Sequence, residues 1–274
     1  MNDKAQGRDL PINQIVCGDN CDVLGTFPRD CIDLVVTSPP YDDLRTYGGH
    51  DWDFYGVAWQ LKRVLKPGGV IVWVVNDATV DGTETGSSMR QALHFQTLGL
   101  RLHDTMIYHR TGPYPDQARY WPAFEYMFVL SNGKPRTINL ICDKKNATGG
   151  TKATRPKLNR QKDGTTPEYN GRERMRHEFG PRENVWRINA GGRISSKDVV
   201  AFKHPAIFPE RLAGDQILSW SNEGEIVLDP FSGSGTTAKM AKHNGRKYIG
   251  IEVNAEYCEI AEKRLAQGVL DFAT

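Results

Sequence analysis

Long hydrophobic runs are absent from the sequence. No window approaches the roughly 18 consecutive apolar residues that a membrane-crossing helix needs, which excludes a helical span. The first ten residues, MNDKAQGRDL, are polar and contain no apolar leader core, so a cytoplasmic setting without membrane association is expected. Cysteine is scarce. Cys17, Cys21, Cys31, Cys142 and Cys258 form an odd set with no C-x-x-C pair, which argues against a disulfide framework and a zinc site. The seven histidines lack H-E-x-x-H spacing, so no metal is expected. Charge nearly cancels, at +2 over 274 residues. What remains is ordinary: 39% hydrophobic and 25% charged residues exclude a disordered or fibrous chain. The length suffices for one large α/β domain or two small ones.

The near-zero net charge hides an asymmetry. Residues 132–198 hold 16 Lys/Arg against 7 Asp/Glu, while the rest of the chain holds 19 against 26. A basic island in an acidic chain is the footprint of a polyanion-binding segment, or else a solvated basic loop.

Hydrophobic periodicity alternates strand and helix. Short strands are predicted at 12–17, at 31–36 (CIDLVV) and at 70–75 (VIVWVV). Helices are predicted from Asn20, over 56–66 ending at Pro67-Gly68-Gly69, and over 89–97. Segments 102–109 and 124–130 read as a late strand pair, antiparallel in the expected arrangement. Periodicity fails over 131–200, which reads as a loop-rich basic insertion. It returns as a helix at 211–219, a strand at 225–228, a helix through His243, a strand at 248–252 and a helix at 255–266. Such alternation implies a doubly wound, mostly parallel α/β sheet.

Two segments carry chemistry. In Asp229-Pro230-Phe231-Ser232-Gly233-Ser234-Gly235-Thr236-Thr237 a strand enters a glycine-rich turn and a helix leaves it. The next strand ends at Glu252, 23 residues beyond Asp229, where a carboxylate can accept both hydroxyls of a ribose. The unit therefore suits an adenosine-bearing cofactor. Gly233, Gly235 and Ala238 fit the dinucleotide pattern G-x-G-x-x-[GA]. Against a dinucleotide, Asp229 at the strand tip would repel a pyrophosphate but attract an ammonium, and only 22 residues follow Glu252. S-adenosylmethionine, with a ribose, an adenine, an ammonium and no phosphate, suits both acids better.

The second segment is Thr37-Ser38-Pro39-Pro40-Tyr41, at the end of the CIDLVV strand. Open α/β sheets bind ligands at that edge. Consecutive prolines lack N–H donors, so the main chain here offers carbonyls. Ser38 adds an acceptor and Tyr41 a flat aromatic face. Together they describe a pocket for an amino group on a planar ring. The plain alternative is a Pro-Pro strand terminator beside a surface tyrosine.

These motifs resemble those of the S-adenosylmethionine-dependent amino-methyltransferases of DNA restriction–modification type. TSPPY is similar to the family's catalytic [DNS]-P-P-[YFW], and DPFSGSGTT to its cofactor motif D-P-F-x-G-S-G-T-T. The catalytic motif comes first, as in the permuted beta subgroup. Gly18-Asp19 resembles the subgroup's N-terminal G-D, and Lys203-His204-Pro205 through Pro209 its [KH]-P-x-x-x-P segment. Leu65-Lys66-Pro67-Gly68-Gly69 resembles its helix–strand junction. The resemblance implies a Rossmann-like methyltransferase fold over 1–131 and 199–274. It makes 132–198 a target-recognition insertion for double-stranded DNA, with Arg155, Lys157, Arg160, Arg172, Arg174 and Arg176 as candidate contacts.

The resemblance also implies roles. Ser38 and the Pro39 carbonyl would accept from the amine, with Pro40 shaping the turn and Tyr41 stacking on a base flipped out of the duplex. Asp229, Gly233, Gly235 and Thr236 would hold the methionine part, helped by His204 and Pro205. Phe231 and Asp19 would lie near the adenine, and Glu252 at the ribose. Asp42, Asp43, Arg45 and His50 lie in a loop that would close over the base, or are solvated there. S-P-P-Y leans toward N4 of cytosine, with N6 of adenine the alternative and RNA or a protein amide more distant ones. A catalytically silent DNA-binding protein is the rival from another class. A cognate restriction endonuclease is a candidate partner, and the oligomeric state is not legible.

Overall fold

The computed structural model describes residues 9–41, 52–111, 118–152, 161–165, 175–189, 191, 195, 196, 198, 201 and 207–267. Contacts divide the chain into two compact units, residues 1–139 with 184–274, and residues 140–183.

The larger unit is built on one eight-stranded sheet. Its strands are β1 (Gln14–Cys17), β2 (Ile32–Thr37), β3 (Leu65–Val75), β6 (Arg101–Thr111), β7 (Phe124–Ser131), β10 (Val185–Asn189), β11 (Ile226–Asp229) and β12 (Lys247–Glu252). A two-residue ribbon, β4 (Thr79–Val80) with β5 (Thr83–Glu84), interrupts the chain after β3. Among the described residues the helices are α1 (Asn20–Gly25), α2 (Phe54–Val64), α3 (Ser87–Thr97), α4 (Glu210–Trp220), α5 (Thr236–His243) and α6 (Ala255–Ala266).

Strand order is β1-β12-β11-β2-β3-β7-β6-β10. β7 alone runs against its neighbours, antiparallel to β3 and β6. The remaining strand pairs are parallel. The expected doubly wound, mostly parallel sheet with a late antiparallel strand is therefore the observed one. The chain leaves β2 toward β3 and leaves β11 toward β12, in opposite directions from adjacent strands. That makes the β2–β11 boundary a topological switch point, where open α/β sheets bind ligands.

Burial explains the strand sequences. β2 is buried along its whole length, as a parallel strand covered on both faces must be. Its one acid, Asp33, is buried but paired, 2.8 Å from Lys66 Nζ and 2.9 Å from Arg136 Nη2. α2 buries Val57, Ala58, Leu61 and Val64, one stripe at helical spacing, against the core containing Trp73 and Phe95. Trp73 is fully buried and its Nε1 donates to Gln91 Oε1 at 2.8 Å.

Two sequence expectations need amending. Pro67-Gly68-Gly69 does not separate helix from strand, because α2 ends at Val64 and β3 already starts at Leu65. Gly68, at φ +78°, bends the backbone inside that strand, and its N–H donates to Asn132 O at 2.6 Å. The basic stretch 132–198 is also wider than the smaller unit. Residues 185–189 form β10, whose Trp186 and Ile188 alternate inward and are buried. The smaller unit itself contains β8 (Lys144–Lys145) paired with β9 (Phe179–Gly180), a bridge between Lys152 and Met175, and an Arg182–Asp143 ion pair. Among the described residues, no helix is long and apolar enough to cross a membrane.

Candidate active site at the carboxyl edge of the sheet

β11 delivers Asp229 to the switch point, and the glycine loop follows at once. Gly233 (φ +48°) and Gly235 (φ +75°) take left-handed conformations that favour glycine. A Cβ on Gly235 would stand 2.8 Å from Ala261 Cβ, and one on Gly250 would stand 2.5 Å from Ser232 Oγ. The loop is thus pressed between β12 and α6.

Asp229 is buried among fixed donors. Its Oδ1 accepts from Thr37 Oγ1 at 2.6 Å and from Phe231 N at 3.1 Å. Burial is the main cause that pushes its carboxyl up to about 6, against the lowering effect of those hydrogen bonds. Thr37 precedes Ser38, so this one bond joins the two motifs. Thr237 Oγ1 adds a second tie, donating to Val36 O at 3.2 Å.

β12 ends at Glu252, which is half-buried. Its carboxylate accepts from Gly233 N at 2.8 Å and from Asn254 N at 2.9 Å, one on each oxygen. Phe231 presents its ring beside Trp52, with centroids 4.9 Å apart and planes at 78°. Asp19 is exposed and caps α1 by accepting from Cys21 N at 2.8 Å and Asp22 N at 3.1 Å. Its neighbour Asn20 is buried and donates to Pro230 O at 3.2 Å, anchoring the glycine loop. Thr236 is turned inward, its hydroxyl accepting from Arg264 Nη1 at 3.1 Å.

β2 delivers the other motif. Pro39 is buried, and Ser38, Pro40 and Tyr41 are half-buried. Ser38 Oγ lies 2.9 Å from Tyr41 Oη. Tyr41 Oη donates to Glu125 Oε2 at 2.7 Å, and Glu125 Oε1 lies 3.3 Å from Arg110 Nη1. Because β7 is reversed, its first residues reach the same edge at which β2 ends.

The model of the DNA methylase family, whose members are N6- and N4-methyltransferases, matches residues 32–263. The chain belongs to that family. An orphan methyltransferase, M.BamHII of Bacillus amyloliquefaciens, is 56% identical over 88% of this chain and 91% of its own length. The type II methyltransferase M.HinfI of Haemophilus influenzae is 31% identical over 93% of this chain and 69% of its own. Among solved structures, a Thermus thermophilus protein assigned as a DNA modification methylase, complexed with S-adenosyl-L-methionine, superposes with TM-score 0.63. It is 26% identical over 94% of this chain and 95% of that one. The PvuII DNA methyltransferase shares the fold at TM-score 0.65 and 20% identity, over 95% of this chain and 87% of that one.

In this DNA methylase the fold brings Ser38, Pro39, Pro40, Tyr41, Asp229, Phe231, Gly233, Gly235 and Glu252 to one sheet edge. His204 and Pro205 lie outside the described residues, as do Asp42, Asp43, Arg45 and His50. The same holds for Arg155, Lys157, Arg160, Arg172 and Arg174. Arg176 belongs to the smaller unit, half-buried, with its N–H donating to Thr151 O at 3.0 Å. Sequence reasoning did not single out Trp52, Asn20, Glu125, Arg110 or Gly250. Asn20 directly follows the Gly18-Asp19 pair and was within reach of that motif. Glu125 carries no local signal, because its partner Tyr41 lies 84 residues away in sequence, and Arg110 reaches the site through Glu125.

Proposed function

We propose that this methylase transfers a methyl group from S-adenosylmethionine to N4 of a cytosine held out of duplex DNA. The observation that carries the reading is the Thr37–Asp229 bond, which sets the amine-accepting turn directly beside the cofactor strand tip at the switch point. The local residues suit the cofactor. Glu252 places a half-buried carboxylate at the strand tip where a ribose would lie, Phe231 and Trp52 offer apolar walls for an adenine, and Ser232 Oγ is buried without a hydrogen-bond partner among the described residues. When bound, S-adenosylmethionine supplies an electrophilic methyl group.

The chain's own part is to hold the amine. An exocyclic amine is a weak nucleophile because its lone pair is delocalised into the ring. Ser38 Oγ and the Pro39 carbonyl, accepting its hydrogens, favour the pyramidal nucleophilic form. Tyr41 supplies a stacking face for the extruded base. A neutral serine, rather than an aspartate, suits the more polarised amine of cytosine. The name of the Bacillus amyloliquefaciens relative, an orphan methyltransferase, favours an enzyme acting without a companion restriction endonuclease over the paired arrangement.

The test is transfer of tritiated methyl groups to unmethylated genomic DNA, followed by digestion and chromatography of the nucleosides. Label in N4-methyldeoxycytidine is expected. Label in N6-methyldeoxyadenosine would replace cytosine by adenine, and label found only in RNA or protein would overturn the DNA reading.

A further inference from the structure

The hydroxyls around Ser38 form a chain with a definite direction. Glu125 is 8% exposed and paired with Arg110, so it stands as a carboxylate that accepts and never donates. Tyr41 has one hydroxyl hydrogen, and it goes to Glu125 Oε2 at 2.7 Å. Toward Ser38, 2.9 Å away, Tyr41 Oη is then left only as an acceptor. The hydrogen of Ser38 must therefore point at Tyr41, and Ser38 Oγ presents lone pairs alone to whatever enters the pocket.

We propose that Glu125, held by Arg110, is a positioning residue that locks Ser38 as a hydrogen-bond acceptor through Tyr41. This rests on the amine-methylation reading. A free serine hydroxyl can rotate to donate, and it would then welcome a ring carbonyl as readily as an amine. The locked one takes an amine hydrogen and opposes the carbonyl oxygen of thymine or uracil at the same place. The lock also lends a neutral serine some of the acceptor character of a carboxylate, since each donated hydrogen polarises the next oxygen. Tyr41 thereby acts through its hydroxyl as well as its ring.

The experiment is single-turnover methyl transfer from tritiated S-adenosylmethionine to unmethylated genomic DNA. The proteins are the wild type, Glu125→Gln, Glu125→Asp, Tyr41→Phe and the double variant Tyr41→Phe/Glu125→Gln, with cofactor affinity measured in parallel. Glu125→Gln and Tyr41→Phe should each slow transfer by about 10- to 150-fold, the loss of one hydrogen bond to a charged group, with cofactor affinity nearly unchanged. The double variant should be no slower than the slower single one, because both cut the same chain. Glu125→Asp, which keeps the charge, should recover part of the rate. A wild-type rate in Glu125→Gln, or additive losses in the double variant, overturns the lock. Should circular dichroism show Glu125→Gln unfolded, Tyr41→Phe severs the same bond from its other end, and a wild-type rate there overturns the lock equally. A wild type that transfers nothing to DNA defeats the amine-methylation reading itself, and that result is separate because it precedes any variant.

Discussion

Asp229 and Glu252 are both strand-tip acids, one buried and the other half-buried. Asp229 is buried with a carboxyl raised to about 6, so its proton is held more tightly in the folded chain than in the unfolded one. The resulting stability is complete below about pH 4 and is lost as pH rises through about 6. Asp229→Asn removes that titration while keeping an oxygen for Thr37 and Phe231. The melting temperature of the wild type relative to this variant should fall between about pH 4 and pH 7, and parallel thermal melts across that range check it. A constant difference would remove Asp229 as the titrating group. Glu252 instead is half-buried and accepts from two backbone N–H groups, those of Gly233 and Asn254. Glu252→Ala should weaken S-adenosylmethionine binding by about 10- to 150-fold, as loss of charge-assisted hydrogen bonds does. Calorimetric titration measures this, and wild-type affinity would exclude Glu252 from the cofactor site.

At the scale of elements, the glycine loop is held from behind by α6. Arg264 is fully buried, donating from Nη1 to Ser234 O at 2.6 Å and from Nη2 to Glu210 Oε1 at 2.8 Å. Its Nε lies 3.1 Å from Asp198 Oδ2, and Lys239 reaches the same two acids. α6, the first turn of α4 and the loop thus share one ion network, half-buried at Lys239, Asp198 and Glu210 and fully buried at Arg264. Removing one member of such a network leaves the others uncompensated. Arg264→Met should cost about 3 kcal/mol of stability, toward the low end for a broken buried pair because Lys239 remains. It should also weaken cofactor binding by releasing the Ser234 carbonyl. Chemical denaturation with and without S-adenosylmethionine measures both effects, and an unchanged midpoint would show the network to be dispensable.

Over the whole molecule, charge divides as the two units do. Residues 140–183 carry 11 Lys/Arg against 6 Asp/Glu, and the remainder carries 24 against 27. If the smaller unit grips phosphates, DNA affinity falls steeply with salt through counterion release. The triple variant Arg155→Ala/Lys157→Ala/Arg160→Ala should lower the slope of log affinity against log salt by about 0.9 for every phosphate it leaves unneutralised. Filter binding on duplex DNA over a range of salt concentrations checks it. An unchanged slope would place the DNA surface elsewhere.

Much of this molecule is legible in its residues taken in order. CIDLVV and VIVWVV announce buried strands because a parallel strand covered on both faces must be apolar throughout. DPFSGSGTT and TSPPY announce their turns because glycine and proline act on the backbone locally. β10 is not legible: five alternating residues inside a basic, glycine-rich stretch give little signal, and their partner β6 lies far earlier in the chain. Local sequence alone determined which residues end the strands and what chemistry they carry. Tertiary structure decided how their hydroxyls are directed. Only the reversal of β7 brings Glu125 to the edge where β2 ends, and Arg110 reaches it from the adjacent β6. A hydrogen-bond chain across three strands depends on strand order and direction, and neither is written in the spacing of residues along any one of them.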